Sequence, residues 1–282
     1  MIQWYPGHMT SALRIISETM PAIDVVIEVL DARMPRASAN PKMTELRVRK
    51  PCLKILSKSD LADPDVTSAW IRELEIDPTV KVLATTTERE ADIRKRIPEL
   101  CKKLAPLRVA PKVLRAMIVG IPNVGKSTLI NTLMQRKVAK VGDEPAVTKA
   151  IQKVTLKSGM VISDHPGLLW PKFEDETVGL RLALGGAIPD AAIEYERVAE
   201  FGAEIFLERY PSLLMARYKL KELPALAADL LAAIGARRGG LRKGGEVDMH
   251  KAADALIHDF RTGALGRISL ERPQHTSRLH ED

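Results

Sequence analysis

Two short motifs occur along this chain in an order that constrains its fold more than any other feature. Ser57-Lys58-Ser59-Asp60 has the form of a guanine-recognition tetrapeptide, and Gly120-Ile121-Pro122-Asn123-Val124-Gly125-Lys126-Ser127 has the form of a phosphate loop. In the usual arrangement of such a domain the phosphate loop comes first. The inverted order predicts a circularly permuted nucleotide domain, a rewiring that proteins tolerate when the original termini lie close together at the surface.

Composition limits the class of protein and its partners. The 282 residues contain 45% hydrophobic and 28% charged side chains, which is typical of a globular protein, and the net charge of +7 favours an anionic partner such as nucleic acid. Aromatic residues make up only 4%, so contact through phosphates and RNA shape is expected rather than base stacking. Cys52 and Cys101 form no CxxC pair, which argues against a disulfide framework and a cysteine-based zinc site. No secretory signal or membrane-spanning run is visible, and we expect a cytoplasmic protein.

Apolar runs that alternate with amphipathic segments predict an α/β fold. Strands are expected at 24–30, 53–56, 80–84 and 117–119, with helices at 10–20, 66–75, 91–104 and 128–134. Residues 153–163 resemble a hairpin, and the pattern beyond about residue 178 is helical. We therefore predict a permuted nucleotide domain over 1–177, with a mostly parallel sheet covered by helices on both faces. Its segment 1–22 carries His8, and a small all-helical domain follows over 178–282.

The phosphate loop lies where a strand ends and a helix begins, as its chemistry requires. Main-chain N–H groups at a helix N-terminus bind phosphate oxygens, and a lysine adds a point charge. Ser127 is expected to bind magnesium through its hydroxyl. The phosphate contacts are predicted to come from Asn123, Val124, Gly125, Lys126, Ser127 and Thr128.

The tetrapeptide at 57–60 follows a buried strand, which strengthens an otherwise weak signal. Asp60 would accept two hydrogen bonds from the guanine edge, and Lys58 would lie over the base. Ser57 stands where asparagine is usual, which predicts some loss of affinity with guanine preference retained. The remaining base-side contacts are predicted from Ser59, Thr85 and Thr86.

A third motif, Asp164-His165-Pro166-Gly167, predicts a magnesium-linked aspartate and a glycine that senses the γ-phosphate. Thr148 is the candidate switch threonine that would complete the magnesium site. Leu168 occupies the position of a water-orienting glutamine, so slow intrinsic hydrolysis is expected. Two histidines, His8 and His165, are open candidates for positioning water, and both could also be ordinary loop residues.

Several stretches together resemble the ribosome biogenesis GTPase A family. They are Trp4-Tyr5-Pro6-Gly7-His8-Met9, Asp31-Ala32-Arg33-Met34-Pro35, the phosphate loop extended to Thr128, and Leu169-Trp170-Pro171-Lys172-Phe173-Glu174-Asp175. The resemblance implies a cytoplasmic factor of late large-subunit assembly whose helical C-terminal domain docks on ribosomal RNA. It implies that His8 assists hydrolysis and that Asn123 helps to hold a potassium ion.

The prediction is therefore a GTPase that binds GTP, Mg²⁺ and K⁺, acts on the large ribosomal subunit precursor and is stimulated by it. RNA phosphate contacts are predicted for Arg237, Arg238, Arg242 and Lys243, which glycines surround; a solvated flexible loop would look the same. An alternative is a nucleotide-gated rRNA-binding scaffold with incidental hydrolysis. A phosphate-loop ATPase or small-molecule kinase is a third possibility, against which Asp60 argues.

Overall fold

The computed structural model describes residues 8–106, 113–135, 152–165, 167–170, 173, 175–240 and 246–273; the side chains of 8–12 and 152 are outside that description. Contacts divide the chain into two units. The first, here the nucleotide unit, comprises the described residues up to 170 together with those from Glu271 onward. The second, the helical unit, runs from Phe173 to Leu270.

The nucleotide unit is built on a six-stranded sheet of order β3-β2-β1-β4-β6-β5. All neighbouring strands are parallel except β5 and β6, which form an antiparallel pair. The strands are β1 (Val25–Asp31), β2 (Cys52–Ser57), β3 (Val80–Ala84), β4 (Arg115–Val119), β5 (Gln152–Thr155) and β6 (Val161–Asp164). The predicted strands and the hairpin at 153–163 are confirmed: the strand at 80–84 has the predicted bounds, and the other bounds differ by at most two residues.

Strand β1 lies in the middle of the sheet, and every one of its residues is buried. Its composition, rich in valine and isoleucine, suits a parallel strand covered on both faces. Glu28 is buried there and forms an ion pair with Lys54 of the neighbouring strand β2. The partner explains how a carboxylate is accommodated in the centre of the sheet.

Helices fill the crossovers, as the alternating pattern predicts. They are α1 (His8–Thr19), α2 (Pro41–Arg47), α3 (Pro64–Leu74), α4 (Glu90–Leu104) and α5 (Lys126–Met134). Asn40 and Asp63 begin α2 and α3 by accepting main-chain N–H groups of the first turn. Residues 107–112, between α4 and β4, lie outside the described residues.

The helical unit contains α6 (Glu176–Leu184), α7 (Tyr195–Arg209), α8 (Pro211–Tyr218), α9 (Ala227–Arg237) and α10 (Met249–Thr262). Helices α7, α9 and α10 pack against one another, with the rings of Phe206 and Phe260 5.5 Å apart. The sequence predicts one apolar face for Met249, Ala252, Ala253, Leu256, Ile257 and Phe260, and all of these except Met249 are buried in α10. For α7 it predicts a face of Tyr195, Val198, Phe201 and Ile205, but Tyr195 and Phe201 are only half-buried while Gly202 packs against Leu184.

Within the part of the chain that the structure describes, no helix combines the length and the apolar character needed to cross a membrane.

Candidate nucleotide site

Three predicted nucleotide-binding motifs meet at one edge of the sheet. The phosphate loop follows β4, the base loop 57–60 follows β2, and Asp164 ends β6. The direction of strand order reverses between β1 and β4, and ligands of open α/β sheets bind at such a switch point beyond the carboxyl ends of the strands. Although their order along the chain is permuted, the motifs therefore lie at the edge of the sheet where ligands of open α/β sheets usually bind.

The phosphate loop is shaped by close backbone packing. A Cβ at Gly120 would lie 2.5 Å from the main-chain oxygen of Val29, so only glycine fits there. Asn123 has a φ of 58° and Gly125 a φ of 98°, and the latter leads directly into α5. This turn aims the first N–H groups of α5 into the loop, which is the geometry of a phosphate-binding site.

Lys126 is buried beneath the loop that it serves. Its Nζ donates to the main-chain oxygen of Ile121 at 2.6 Å. Burial lowers the pKa of Lys126 to about 8, an effect that the charge of Asp164 opposes. The ammonium group is therefore still mostly protonated near neutral pH and available to anionic oxygens.

Asp164 lies close enough to Lys126 for the two charges to affect each other. Burial raises its pKa to about 6, although the charge of Lys126 opposes this shift. Neither carboxylate oxygen has a well-aligned hydrogen-bond partner among the described residues, although the adjacent His165 N–H is close enough to lower the pKa. The buried Asp164 carboxylate, which ends β6, and the Ser127 hydroxyl in the first turn of α5 supply oxygen donors of the kind that Mg²⁺ prefers. The residues present thus fit the magnesium site predicted from the sequence.

The base loop is held by hydrogen bonds to the phosphate loop at one end and to the loop after β3 at the other. Ser57 donates from its hydroxyl to Val124 O at 2.6 Å, or to Leu30 O at 2.9 Å. Ser59 donates to Thr85 O through both its main-chain N–H, at 3.2 Å, and its hydroxyl, at 3.1 Å. The loops predicted to read the base are therefore connected to each other and to the phosphate loop.

Lys58 and Asp60 differ in their surroundings. Asp60 is exposed at the end of the loop. Lys58 has a φ of 55° and its Nζ lies 3.0 Å from a carboxylate oxygen of Asp31. This contact was not predicted from the sequence, where Asp31 was part of a family motif only.

Asp31 binds two cations at once. Arg33 donates to both of its oxygens, at 2.9 and 2.8 Å, and Lys58 donates to one of them. Burial alone would raise the pKa of Asp31, but the charges of Arg33 and Lys58 outweigh it and hold that pKa far below its usual range. Asp31 is thus a permanent carboxylate that fixes the position of Lys58.

The segment of Gly167 and Leu168, here the switch peptide, packs directly onto the phosphate loop. A Cβ at Gly167 would lie 2.8 Å from Pro122 N and 2.9 Å from Lys126 Nζ. The next residue, Leu168, is buried and donates from its N–H to Gly120 O at 3.2 Å. The close approach that a γ-phosphate sensor needs is present, and it requires glycine.

The two candidate histidines are not equally described. His165 is fully buried, and neither ring nitrogen has a hydrogen-bond partner among the described residues. Burial lowers the pKa of His165 to about 4, so the ring is neutral near pH 7. His8 begins α1, but its side chain lies outside the description, as do Thr148, Arg242 and Lys243.

Arg237 and Arg238 are held by neighbouring groups at the end of α9. Arg237 donates to Lys219 O at 2.8 Å, and Arg238 pairs with the buried Asp259 at 2.7 Å. Arg217 donates to the same carboxylate at 2.7 and 2.9 Å. The side chains of Arg217 and Arg238 nevertheless keep 33% and 42% of their surface exposed. Both predicted RNA contacts in the described part of the chain thus lie in an ordered basic cluster.

Comparisons with known proteins agree with this geometry. Residues 115–194 match a family model described as 50S ribosome-binding GTPase. The chain is 44% identical over 280 residues to the ribosome biogenesis GTPase A of Bacillus licheniformis, covering 97% of this chain and 99% of the relative. It is 32% identical to the Thermotoga maritima protein of the same name, covering 100% and 98%.

Solved structures give the same result. The GNP-bound YlqF from T. maritima superposes with a TM-score of 0.65 at 29% identity, covering 94% of this chain and 99% of that one. A GDP-bound YlqF structure matches with a TM-score of 0.65 at 27% identity, covering 93% and 100%. The permuted fold predicted from the inverted motif order is thereby confirmed.

Proposed function

The chain belongs to the ribosome biogenesis GTPase A family, and we propose that it is a GTP-driven assembly factor of the large ribosomal subunit. In this proposal it binds the precursor subunit in the cytoplasm with GTP bound, promotes late maturation, and leaves after hydrolysis. The observation that carries the proposal is the hydrogen bond between Ser57 and Val124, which joins a guanine-reading loop to a phosphate loop.

Guanine recognition is assigned to the base loop. Asp60, exposed beyond the fastened part of the loop, would accept the two edge N–H groups of guanine. Lys58, held by Asp31, would cover the base plane. Thr85 and Thr86 would line its other side, because the Thr85 main chain is bonded to Ser59.

Phosphate binding is assigned to Asn123, Val124, Gly125, Lys126, Ser127 and Thr128, with Gly167 as the γ-phosphate sensor. Magnesium would be held by Ser127, Asp164 and Thr148, and when bound it neutralises charge that develops between the β- and γ-phosphates. Asn123 would contribute to a potassium site. That last assignment depends on the family resemblance.

Hydrolysis needs a polar side chain that positions the attacking water, and the switch peptide has none. Leu168 has no side-chain donor or acceptor, and its side chain is buried. His165 is enclosed as well, so His8 is the better candidate for positioning the water. Because His8 lies in the N-terminal segment, we propose that subunit binding places this segment and thereby stimulates hydrolysis.

The RNA contacts are assigned from the distribution of positive charge between the two units. Residues 1–172 contain 28 Lys and Arg against 18 Asp and Glu, whereas residues 173–270 contain 13 against 15. The nucleotide unit therefore supplies the general attraction to RNA. The helical unit adds one local cluster at the ends of α8 and α9, formed by Arg217, Lys219, Arg237 and Arg238. Lys221, Arg242 and Lys243 are added to it from the sequence.

Sedimentation with purified large subunits tests the docking assignment. A triple variant, Lys219→Ala, Lys221→Ala and Arg237→Ala, should weaken subunit binding. The slope of log K against log salt should become less steep by about two to three, because three phosphate contacts are removed. Arg217 and Arg238 are left in place because they hold Asp259. Lys251→Ala, an exposed cation of α10, is the control. An unchanged salt slope in the triple variant would remove this cluster from the contact surface.

The alternative, an rRNA-binding scaffold with incidental hydrolysis, is favoured by one observation. Neither Leu168 nor His165 offers an accessible group for activating water. The two functions differ in turnover: a scaffold binds the subunit in the GTP state without any increase in the rate of hydrolysis.

A further inference from the structure

The loop from Asp31 to Asn40, here the bridge loop, leaves the end of β1 and leads into α2. Its first residue, Asp31, holds Lys58 of the base loop. Inside the loop, Ser38 accepts the Asp31 N–H at 3.0 Å and donates to Met34 O at 2.8 Å. These internal bonds make the loop a compact, ordered element rather than a slack connection.

The last residue of the bridge loop holds the switch peptide. Asn40 is buried, and its Nδ2 donates to Leu168 O at 3.1 Å. The Leu168 N–H is bonded to Gly120 O. Both polar groups of the residue that follows the γ-phosphate sensor are therefore held, one by the phosphate loop and one by Asn40.

A third partner reaches the bridge loop from the far end of the chain. The main-chain N–H groups of Arg36 and Ala37 donate to the carboxylate of Glu271. The main-chain oxygen of Glu271 accepts from Trp70 Nε1 at 3.3 Å, and the Arg36 guanidinium lies 5.5 Å from the centroid of that indole. Glu271 is the first residue after the helical unit.

We propose that the bridge loop transmits the state of the γ-phosphate switch at Leu168 to the chain's return from the helical unit at Glu271, with Asn40 as its positioning residue. A shift of the switch peptide moves Leu168 O, which is the acceptor that Asn40 holds. Because the loop is internally bonded, a displacement of Asn40 alters the two N–H groups that Glu271 accepts. The relay thus links nucleotide state to a connection through which the helical unit is attached.

The test uses variants that separate the switch contact from the start of α2. Asn40 also accepts the Lys42 N–H at 3.0 Å and so begins that helix. Asn40→Ser keeps an acceptor for this role but has no donor long enough to reach Leu168. Thr44→Gly, at an exposed position of α2, weakens the helix without touching the switch and is the matched control.

The first readout is nucleotide discrimination. In Asn40→Ser, affinity for a non-hydrolysable GTP analogue should fall about fivefold while GDP affinity changes by less than about twofold, since the lost hydrogen bond holds the residue next to Gly167, which only a γ-phosphate contacts. Thr44→Gly should leave the ratio of the two affinities unchanged. A parallel loss of GDP affinity in Asn40→Ser would show a merely structural role and overturn the proposal.

The second readout is amide hydrogen exchange at Arg36 and Ala37 in the full chain. In the unsubstituted protein, exchange at these amides should differ about fivefold or more between the GDP and analogue complexes. The difference should vanish in Asn40→Ser and persist in Thr44→Gly. Equal exchange in the two complexes of the unsubstituted protein, or a difference that survives in Asn40→Ser, would contradict the relay. Neither readout uses ribosomal subunits, so the relay can fail independently of the proposed role in assembly.

Discussion

The Ser57 hydroxyl oxygen lies 2.6 Å from the main-chain oxygen of Val124, so the base loop and the phosphate loop are joined directly. The same hydroxyl lies 2.9 Å from Leu30 O. Since a hydroxyl has one hydrogen, it can serve only one of these carbonyl groups at a time. The serine thus keeps the link between the two loops at a position where the sequence suggested a loss.

Replacing Ser57 by alanine should weaken GDP binding about fivefold, because a buried hydrogen bond worth about 1 kcal/mol holds the two loops in register. Titration with a fluorescent GDP derivative measures the change. Ser68→Ala is the control, since Ser68 is an exposed serine that donates only to Pro64 within α3. Unchanged affinity in Ser57→Ala would show that the loops keep their positions without this bond.

Replacing Asp60 by asparagine should lower GDP affinity at least about tenfold. The amide would present a donor where the guanine edge also presents donors, and the loss of a charged hydrogen bond is worth about 1.5–3 kcal/mol. Asp65→Asn is a suitable control because Asp65 is an exposed acid in the first turn of α3. Equal weakening in both variants would mean that Asp60 acts only through surface charge.

Replacing Gly167 by alanine should reduce GTP turnover about tenfold or more, while GDP binding is less affected. The added methyl group would lie 2.8 Å from Pro122 N and 2.9 Å from Lys126 Nζ, so the switch peptide must move away from the phosphate loop. Single-turnover hydrolysis and GDP titration on the same preparation separate the two effects. Normal turnover would show that hydrolysis does not need this approach.

Asp259 should stabilise the helical unit in a pH-dependent way. Burial alone would raise its pKa, but hydrogen bonds from Arg217 and Arg238 outweigh this and lower it. A carboxylate whose pKa is lowered by folding contributes its full stability at pH values above its unfolded-state pKa, which is about 4. That contribution is lost as the pH falls through the folded-state pKa.

Asp259→Asn should therefore destabilise the protein by about 2 kcal/mol near neutral pH, a discounted value because both arginines are partly exposed. The difference from the unsubstituted protein should shrink below about pH 4. Urea unfolding at several pH values measures both quantities. A difference that stays constant with pH would show that the charge of Asp259 is not what stabilises the unit.

The sheet and the motif positions could be predicted because each motif follows a run of buried aliphatic residues. Such runs identify parallel strands, and their carboxyl ends meet at one edge of the sheet. Helix α2 was missed because it is short and buries only Met43. Its start was nevertheless visible in the sequence, since Asn40 precedes a proline, a common beginning of a helix.

The network around the bridge loop could not be predicted from local patterns. The contacts Asn40–Leu168 and Ala37–Glu271 span 128 and 234 residues, and no spacing rule relates such positions. The Asp31–Lys58 pair joins two neighbouring strand ends, so the sheet order would have revealed it. The charge distribution, by contrast, was readable from the sequence and places most of the positive charge in the nucleotide unit.

The most direct test of the account is the rate of GTP hydrolysis with and without purified large ribosomal subunits, measured in potassium and in sodium. The account predicts slow turnover alone, a large stimulation by large subunits but not by small ones, and a higher rate in potassium. Binding of large subunits without any increase in turnover would contradict it.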